Sequence, residues 1–108
     1  MSKLSHFTFG ENLRNLRVEA GMPLRILASR LDIDQSTLSK IERNERKAGE
    51  ELIGKISAVF KIKAKELRIN LISDLIAYTL RNEEDSIDVL KVAEEKLEYL
   101  KTKKKSRK

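Results

Sequence analysis

Four polar side chains recur at helical spacing near the middle of this 108-residue chain: Gln35, Ser36, Ser39 and Lys40. They offer an amide, two hydroxyls and an ammonium group, with no large hydrophobic side chain among them. Such groups can hydrogen-bond to base edges in the DNA major groove, since lysine can donate to guanine and glutamine can pair with adenine. The alternative is an ordinary amphipathic helix with a solvated polar face.

A helix from Gln35 to Arg43 is predicted to carry this polar face. Leu38, Ile41 and Glu42 lie three and four residues apart, so they share the other, buried side. Asp34 stands where an N-cap belongs, because its carboxylate can accept from a free backbone N–H.

The whole chain is predicted to be all-α. It has one proline and four glycines, and no alternating strand pattern appears. Caps and periodicity predict helices over about 9–20, 23–31, 35–43 and 49–60, a fifth from 64 to about 82, and a sixth from Asp85 or Ser86 to about Leu100.

Residues 8–69 resemble the phage-repressor-like (Cro/repressor, xenobiotic-response-element) helix-turn-helix family. The matching segments are Phe9–Arg17, Gly21, Leu27-Ala28 and Ser36-Thr-Leu-Ser-Lys-Ile-Glu-Arg43. The resemblance implies a five-helix bundle whose second and third helices bind double-stranded DNA, usually as a dimer on a twofold-symmetric operator. In size and motif the chain also looks similar to restriction–modification controller proteins.

Positions carried over from the family assign roles to individual residues. The base-reading residues are Gln35, Ser36, Ser39 and Lys40. The residues at the DNA backbone or flanking it are Arg25, Thr37, Arg43, Asn44, Arg46 and Lys47. The resemblance also implies a structural ion pair between Arg17 and Glu42, which a largely buried carboxylate needs.

Three positions depart from the family pattern. Leu24 replaces the glutamine that usually opens the second helix and braces the first reading residue, and Arg25 is the candidate substitute. Asp32 and Asn44 replace common glycines, and both residue types tolerate the left-handed backbone conformation.

Charge divides the chain into three parts, which we interpret as a DNA-binding domain (1–69), a helical dimerisation region (70–100) and a disordered basic tail (101–108). Residues 1–70 hold 14 basic and 9 acidic side chains, residues 71–100 hold 3 and 8, and the tail holds six basic and none acidic. A basic module favours phosphate contact. The tail either adds nonspecific DNA attraction or only aids solubility.

The dimerisation region carries more apolar surface than a five-helix module needs. Its stripe comprises Leu71, Ile72, Leu75, Ile76, Leu80, Ile87, Leu90 and Leu97. Two amphipathic helices without an evident partner predict a homodimer. The alternative is that they pack back onto the module in a monomer.

Several function classes find no support in the sequence. There is no cysteine, and the lone His6 cannot build a histidine metal site. No catalytic triad, phosphate-binding glycine loop, signal-peptide core or membrane-length apolar run is present. We therefore expect a cytoplasmic protein that is not an enzyme, with no cofactor, metal, membrane partner or small-molecule ligand.

The sequence as a whole favours a sequence-specific transcriptional regulator that represses as a homodimer on a palindromic operator. The alternative is a protein-interaction adapter, or an antitoxin-like partner-binding protein, that uses the same fold.

Overall fold

The computed structural model describes Leu4 and residues 7–106, with side chains up to residue 103. Within these residues the chain is all-α, which confirms the predicted fold class. The helices are α1 (Phe9–Glu19), α2 (Leu24–Leu31), α3 (Gln35–Glu42), α4 (Glu50–Phe60), α5 (Ala64–Leu80) and α6 (Ser86–Ser106). The lone histidine, His6, lies outside the described residues.

Local sequence chemistry sets the ends of the first helices. Thr8 and Glu11 form a capping box at the start of α1, and Gly21 follows that helix with a φ of 66°. Pro23 is the N-cap of α2, and Asp32 ends α2 in the left-handed conformation at φ 59°. The predicted tolerance of Asp32 for this turn is thus realised, and Asn44 likewise has a φ of 63°.

Two compact units divide the described chain, and the boundary between Leu75 and Ile76 falls inside α5. The first unit has a continuous apolar core built from α1 to α5 and their loops. Its residues are Phe9, Leu13, Leu16, Leu27, Ala28, Leu31, Leu38, Ile41, Ala48, Ile53, Ile56, Ile62 and Leu67. Full burial of a leucine or isoleucine contributes roughly 1.5–3 kcal/mol, so this core stabilises the first unit by itself. The domain boundary at 69/70 stays a prediction.

The start of α5 belongs to the core of the first unit. Leu67 is 2% exposed, and Leu71 is partly buried against the same core. Leu71 was assigned from sequence to dimerisation; its side chain packs partly buried against this core, and its part in a dimer stays a prediction. Ile72 and Leu75, by contrast, are exposed.

The second unit contains the end of α5 and all of α6. None of its described residues from 76 to 103 is buried, and Ile76, Ile87, Leu90 and Leu97 are 42–63% exposed. Leu80 is of intermediate exposure.

Helix α6 continues to Ser106, whereas the basic composition of the tail predicted disorder from residue 101. The reason is that lysine is a good helix former and that cationic side chains interact favourably with the negative end of the helix dipole. None of the helices in the described part of the chain is long and apolar enough to span a bilayer.

Candidate nucleic-acid interface

Helix α3 exposes most of its polar side chains to solvent because its apolar side chains are buried in the core of the first unit. Leu38 and Ile41 are at most 2% exposed, whereas Gln35, Ser36 and Lys40 are exposed. This is the division of faces that the helical spacing predicted. Three of the four predicted base-reading residues are therefore open to a ligand.

The Asp34 side chain fixes the start of α3. Its Oδ1 atom accepts from the Thr37 backbone N–H at 2.7 Å and from the Ser36 hydroxyl at 3.0 Å. These hydrogen bonds, led by the one from the Thr37 N–H, lower the pKa of Asp34. The cap holds the first turn in place, and it also orients the Ser36 hydroxyl towards Asp34.

The fourth predicted reading residue, Ser39, is half-buried and engaged with a neighbour. The Arg43 Nη1 atom donates to the Ser39 hydroxyl at 2.9 Å. The Nε and Nη2 atoms of Arg43 donate to the two carboxylate oxygens of Glu45, each at 3.2 Å. Glu45 thus offsets the charge of Arg43, a contact for which the sequence gives no local signal.

A buried ion pair braces α3 against α1. The Nε atom of Arg17 lies 2.8 Å from Glu42 Oε2, and the Nη2 atom donates to Oε1 at 3.1 Å. The two side chains are only 14% and 5% exposed, and Arg17 Nη1 also donates to the carbonyl of Met22. The structure therefore contains the pair that the resemblance implied, and Arg17 ties α1 to α3 and to the turn before α2.

Side chains from three parts of the first unit satisfy the first N–H groups of α1. The Phe9 N–H donates to Asp74 Oδ2 at 2.8 Å, and the Gly10 N–H donates to Asn44 Oδ1 at 3.0 Å. Thr8 Oγ1 accepts from the Glu11 N–H and from Asn44 Nδ2, the latter at 2.8 Å. Asn44, assigned from sequence to the DNA backbone, thus uses its amide to hold the end of α3 on α1.

Gly10 lets α1 and α3 approach closely. A Cβ atom at this position would clash with the backbone carbonyls of Ile41 and Glu42 and with Asn44 Oδ1. The backbones of the two helices therefore lie close together at this point, so the position of α3 depends on the absence of a side chain at Gly10.

The remaining predicted backbone contacts flank α3. Arg25 is exposed in the first turn of α2, whose N-cap Pro23 makes no side-chain cap hydrogen bond. Leu24, which stands where the family usually has glutamine, packs against the core. The adjacent Arg25 is exposed and is the candidate substitute for that glutamine. Arg46 and Lys47 are exposed in the loop after α3, Ala48 is buried, and Thr37 is half-buried. The buried Ala48 thus anchors the basic loop to the core.

Sequence reasoning missed residues whose partners lie far along the chain. Asp74 caps a helix that begins 65 residues earlier, and Asn12, which is 4% exposed, donates to Asn70 at 3.3 Å. A helix-surface carboxylate gives no local signal for such a role. Among the described residues, no group of three or more histidine, cysteine, aspartate or glutamate side chains is arranged to hold a metal ion.

The helix-turn-helix family model matches residues 13–67, about half of the chain. The chain belongs to the helix-turn-helix family, of Cro/C1 type. The predicted family is thereby confirmed. This helix-turn-helix protein is a DNA-binding transcriptional regulator. Curated protein sequences gave no match.

Solved structures of regulators are similar to this helix-turn-helix protein. The restriction-modification controller protein C.AhdI from Aeromonas hydrophila is 32% identical with a TM-score of 0.51, and the match covers 55% of this chain and 89% of the controller. SinR, the master regulator for biofilm formation, in complex with DNA is 31% identical with a TM-score of 0.51, covering 56% and 97%. A chain of a SinR protein–SinI protein complex is 26% identical with a TM-score of 0.53, covering 91% and 99%.

Proposed function

We propose that this protein is a transcriptional repressor that binds a palindromic operator as a homodimer and reads its bases with α3. The observation that carries the proposal is the exposed face of Gln35, Ser36 and Lys40 on a helix whose other face is buried. A reading helix must be held rigidly, and the Arg17–Glu42 pair does this for α3. A regulator that occupies promoter DNA represses by excluding other proteins from it.

In this proposal, charged side chains around α3 hold the phosphates. Arg25, Arg46 and Lys47 are exposed and flank the reading face. Arg43 is also exposed, and phosphate would compete with Glu45 for its guanidinium. Thr37 and Asn44 lie beside the face, and their part is to keep α3 in position. Support comes from the similar SinR, whose solved structure is a complex with DNA.

The homodimer is proposed because one reading helix recognises too few base pairs to select an operator by itself. One such helix contacts only a few base pairs, whereas two helices about 34 Å apart read both halves of a palindrome. The second unit offers the surface for such a dimer, because Ile76, Ile87, Leu90 and Leu97 are exposed. Leu80 belongs to the same unit, whereas Ile72 and Leu75 are exposed at the end of the first unit and Leu71 packs against its core.

The test is selection of bound duplexes from random DNA by the purified protein at about physiological salt. We expect a palindrome with half-sites about one helical turn apart. The Gln35→Ala/Lys40→Ala variant should lose at least tenfold of its preference for that palindrome over random duplex, because each bidentate base contact contributes about 1–3 kcal/mol of discrimination.

The matched control is Lys91→Ala, which removes one positive charge from α6 and should keep the preference. Circular dichroism must show that the helical content of both variants is unchanged. Unchanged selectivity in the double variant would exclude Gln35 and Lys40 as reading residues.

A second candidate function is a protein-interaction adapter of antitoxin-like type. It is supported by the similarity to a SinR chain solved in complex with SinI protein, a match that covers 91% of this chain. The adapter function predicts a stable complex with a different protein and no selected DNA motif. Recovery of no motif, with DNA binding that disappears as salt rises, would favour the adapter over the repressor.

A further inference from the structure

The second unit exposes a nearly symmetrical apolar stripe along α6. Leu90 and Leu97 lie three residues before and four residues after Ala93, and they are 42% and 52% exposed. A shallow open groove of about 400 Å³ passes Ala93 and is also lined by Val89 and Val92. A small residue between two leucines allows a second helix to cross closely at that point, at an interaxial distance of about 8–10 Å.

This stripe needs a cover for the second unit to be stable. None of the described residues from 76 to 103 is buried, although many of them are apolar. Chain segments shorter than about 40 residues rarely bury enough surface to fold alone, and oligomerisation is one common solution. A second copy of the same stripe is self-complementary, because rotation about Ala93 brings Leu90 of one copy to Leu97 of the other.

The charges along this part of the chain distinguish the two possible orientations. Residues 83–100 carry seven acidic and two basic side chains, whereas residues 101–108 carry six basic side chains and no acidic ones. A parallel pair would place Lys101 and Lys103 of one copy beside the same lysines of the other, where like charges repel. An antiparallel pair that crosses at Ala93 places Lys101 and Lys103 of one copy beside Asp85 and Glu83 of the other, just before its α6 begins. The same charges would also stabilise a single helix through its dipole. The apolar stripe centred on Ala93 therefore supports the pairing independently of the charges.

We propose that α6 of one copy pairs antiparallel with α6 of a second copy and crosses it near Ala93. The inference rests on the homodimer of the proposed function and adds the helix that pairs, its crossing point and its orientation. In this arrangement Ser86 of one copy lies opposite Leu100 of the other. In a parallel pair, Ser86 would lie opposite Ser86, about 21 Å along the axis from Leu100, given 1.5 Å per residue.

The natural chain has no cysteine, so single-cysteine variants of the full-length protein report the orientation directly. Ser86→Cys and Leu100→Cys are oxidised separately and as a mixture in which one variant carries a size tag. We expect a disulfide-linked dimer that contains one copy of each variant, and little linkage of either variant to itself. Glu19→Cys on α1 measures linkage by random collision.

A second measurement does not depend on replacing Leu100. A nitroxide on Ser86→Cys should give a distance of more than about 20 Å between the labels of one dimer, whereas a parallel pair should give about 10 Å. Self-linked Ser86→Cys and a short label distance would overturn the antiparallel orientation. A dimer with no linkage above the Glu19→Cys background would place the interface away from α6 and also overturn it.

Light scattering separates this inference from the proposed function. A protein that stays monomeric at tens of micromolar would overturn both the homodimer and the pairing of α6. A dimer that selects a palindrome but has parallel helices would overturn only the orientation.

Discussion

The first and second units differ in where their apolar side chains lie. Core residues of the first unit, such as Leu27 and Leu38, are fully buried, whereas Ile87 and Leu97 of the second unit are 63% and 52% exposed. The buried polar side chains of the first unit also have partners, as Glu42 has in Arg17. The comparison shows that the first unit is stabilised by its own core. In the proposed dimer the second unit depends on a partner, so its stability should change with protein concentration.

The largest effect is expected at the buried ion pair of the first unit. Arg17→Met leaves the Glu42 carboxylate buried without its cation, and we expect a loss of about 3–5 kcal/mol in the free energy of unfolding, measured with urea. Arg43→Met is the control, because it breaks an exposed pair and should cost less than about 1 kcal/mol. Similar losses in the two variants would contradict the view that burial makes the Arg17–Glu42 pair important.

Matched leucine truncations test the comparison of the units directly. Leu27→Ala opens a cavity in a fully buried site, so we expect a loss of about 2–5 kcal/mol at any protein concentration. Leu97→Ala should cost less than about 0.5 kcal/mol in dilute monomer and should weaken the dimer at higher concentration. The measurement is urea unfolding at two protein concentrations. A large, concentration-independent loss for Leu97→Ala would mean that the second unit has a core within one chain.

A smaller effect is expected where α1 begins. Thr8→Ala removes the N-cap hydroxyl and the acceptor for Asn44, so we expect a loss of about 1 kcal/mol in thermal or urea unfolding. Thr102→Ala changes an exposed threonine in α6 and should stay within about 0.5 kcal/mol of wild type. A Thr8→Ala protein as stable as the control would mean that water replaces the cap without loss.

The smallest effect is a pH dependence at Asp34. Hydrogen bonds from the Thr37 N–H, the Thr37 side chain and Ser36 lower its pKa in the folded protein. A lowered folded pKa contributes stability above the unfolded pKa of about 3.9, and this contribution is lost as pH falls through the folded value. Asp34→Asn keeps a capping side chain but does not titrate.

Urea unfolding at pH 6 and pH 3 should therefore show a smaller acid loss for Asp34→Asn than for wild type. Asp32→Asn, which removes an exposed carboxylate two residues earlier, is the control and should behave as wild type. Equal acid losses in all three proteins would show that the Asp34 cap does not couple to pH.

Much of the first unit could be predicted because its signals are local. Apolar spacing located α3, and Asp34 marked its first residue at Gln35. The family motif pointed to Arg17 and Glu42 as partners although 25 residues separate them. The roles of Gln35, Ser36, Ser39 and Lys40 towards DNA stay predictions.

Contacts between distant residues could not be predicted in the same way. The Arg43–Glu45 pair and the contact of Arg43 with Ser39 depend on rotamers at the end of α3. The contacts of Asn44 with Gly10 and Thr8 depend on how α3 packs against α1. These contacts change which side chains at the interface are free to meet DNA.

The sequence by itself determined the approximate positions of the helices, the Asp34 cap and the exposed polar face of α3, since periodicity and capping act within a few residues. Only the tertiary structure decided that Leu71 joins the core, that Asp74 caps α1 and that Asn44 holds α3 to it. The physical reason is that a side chain's partner depends on which helix packs beside it. That packing is set by the whole core and by close approaches such as the one at Gly10.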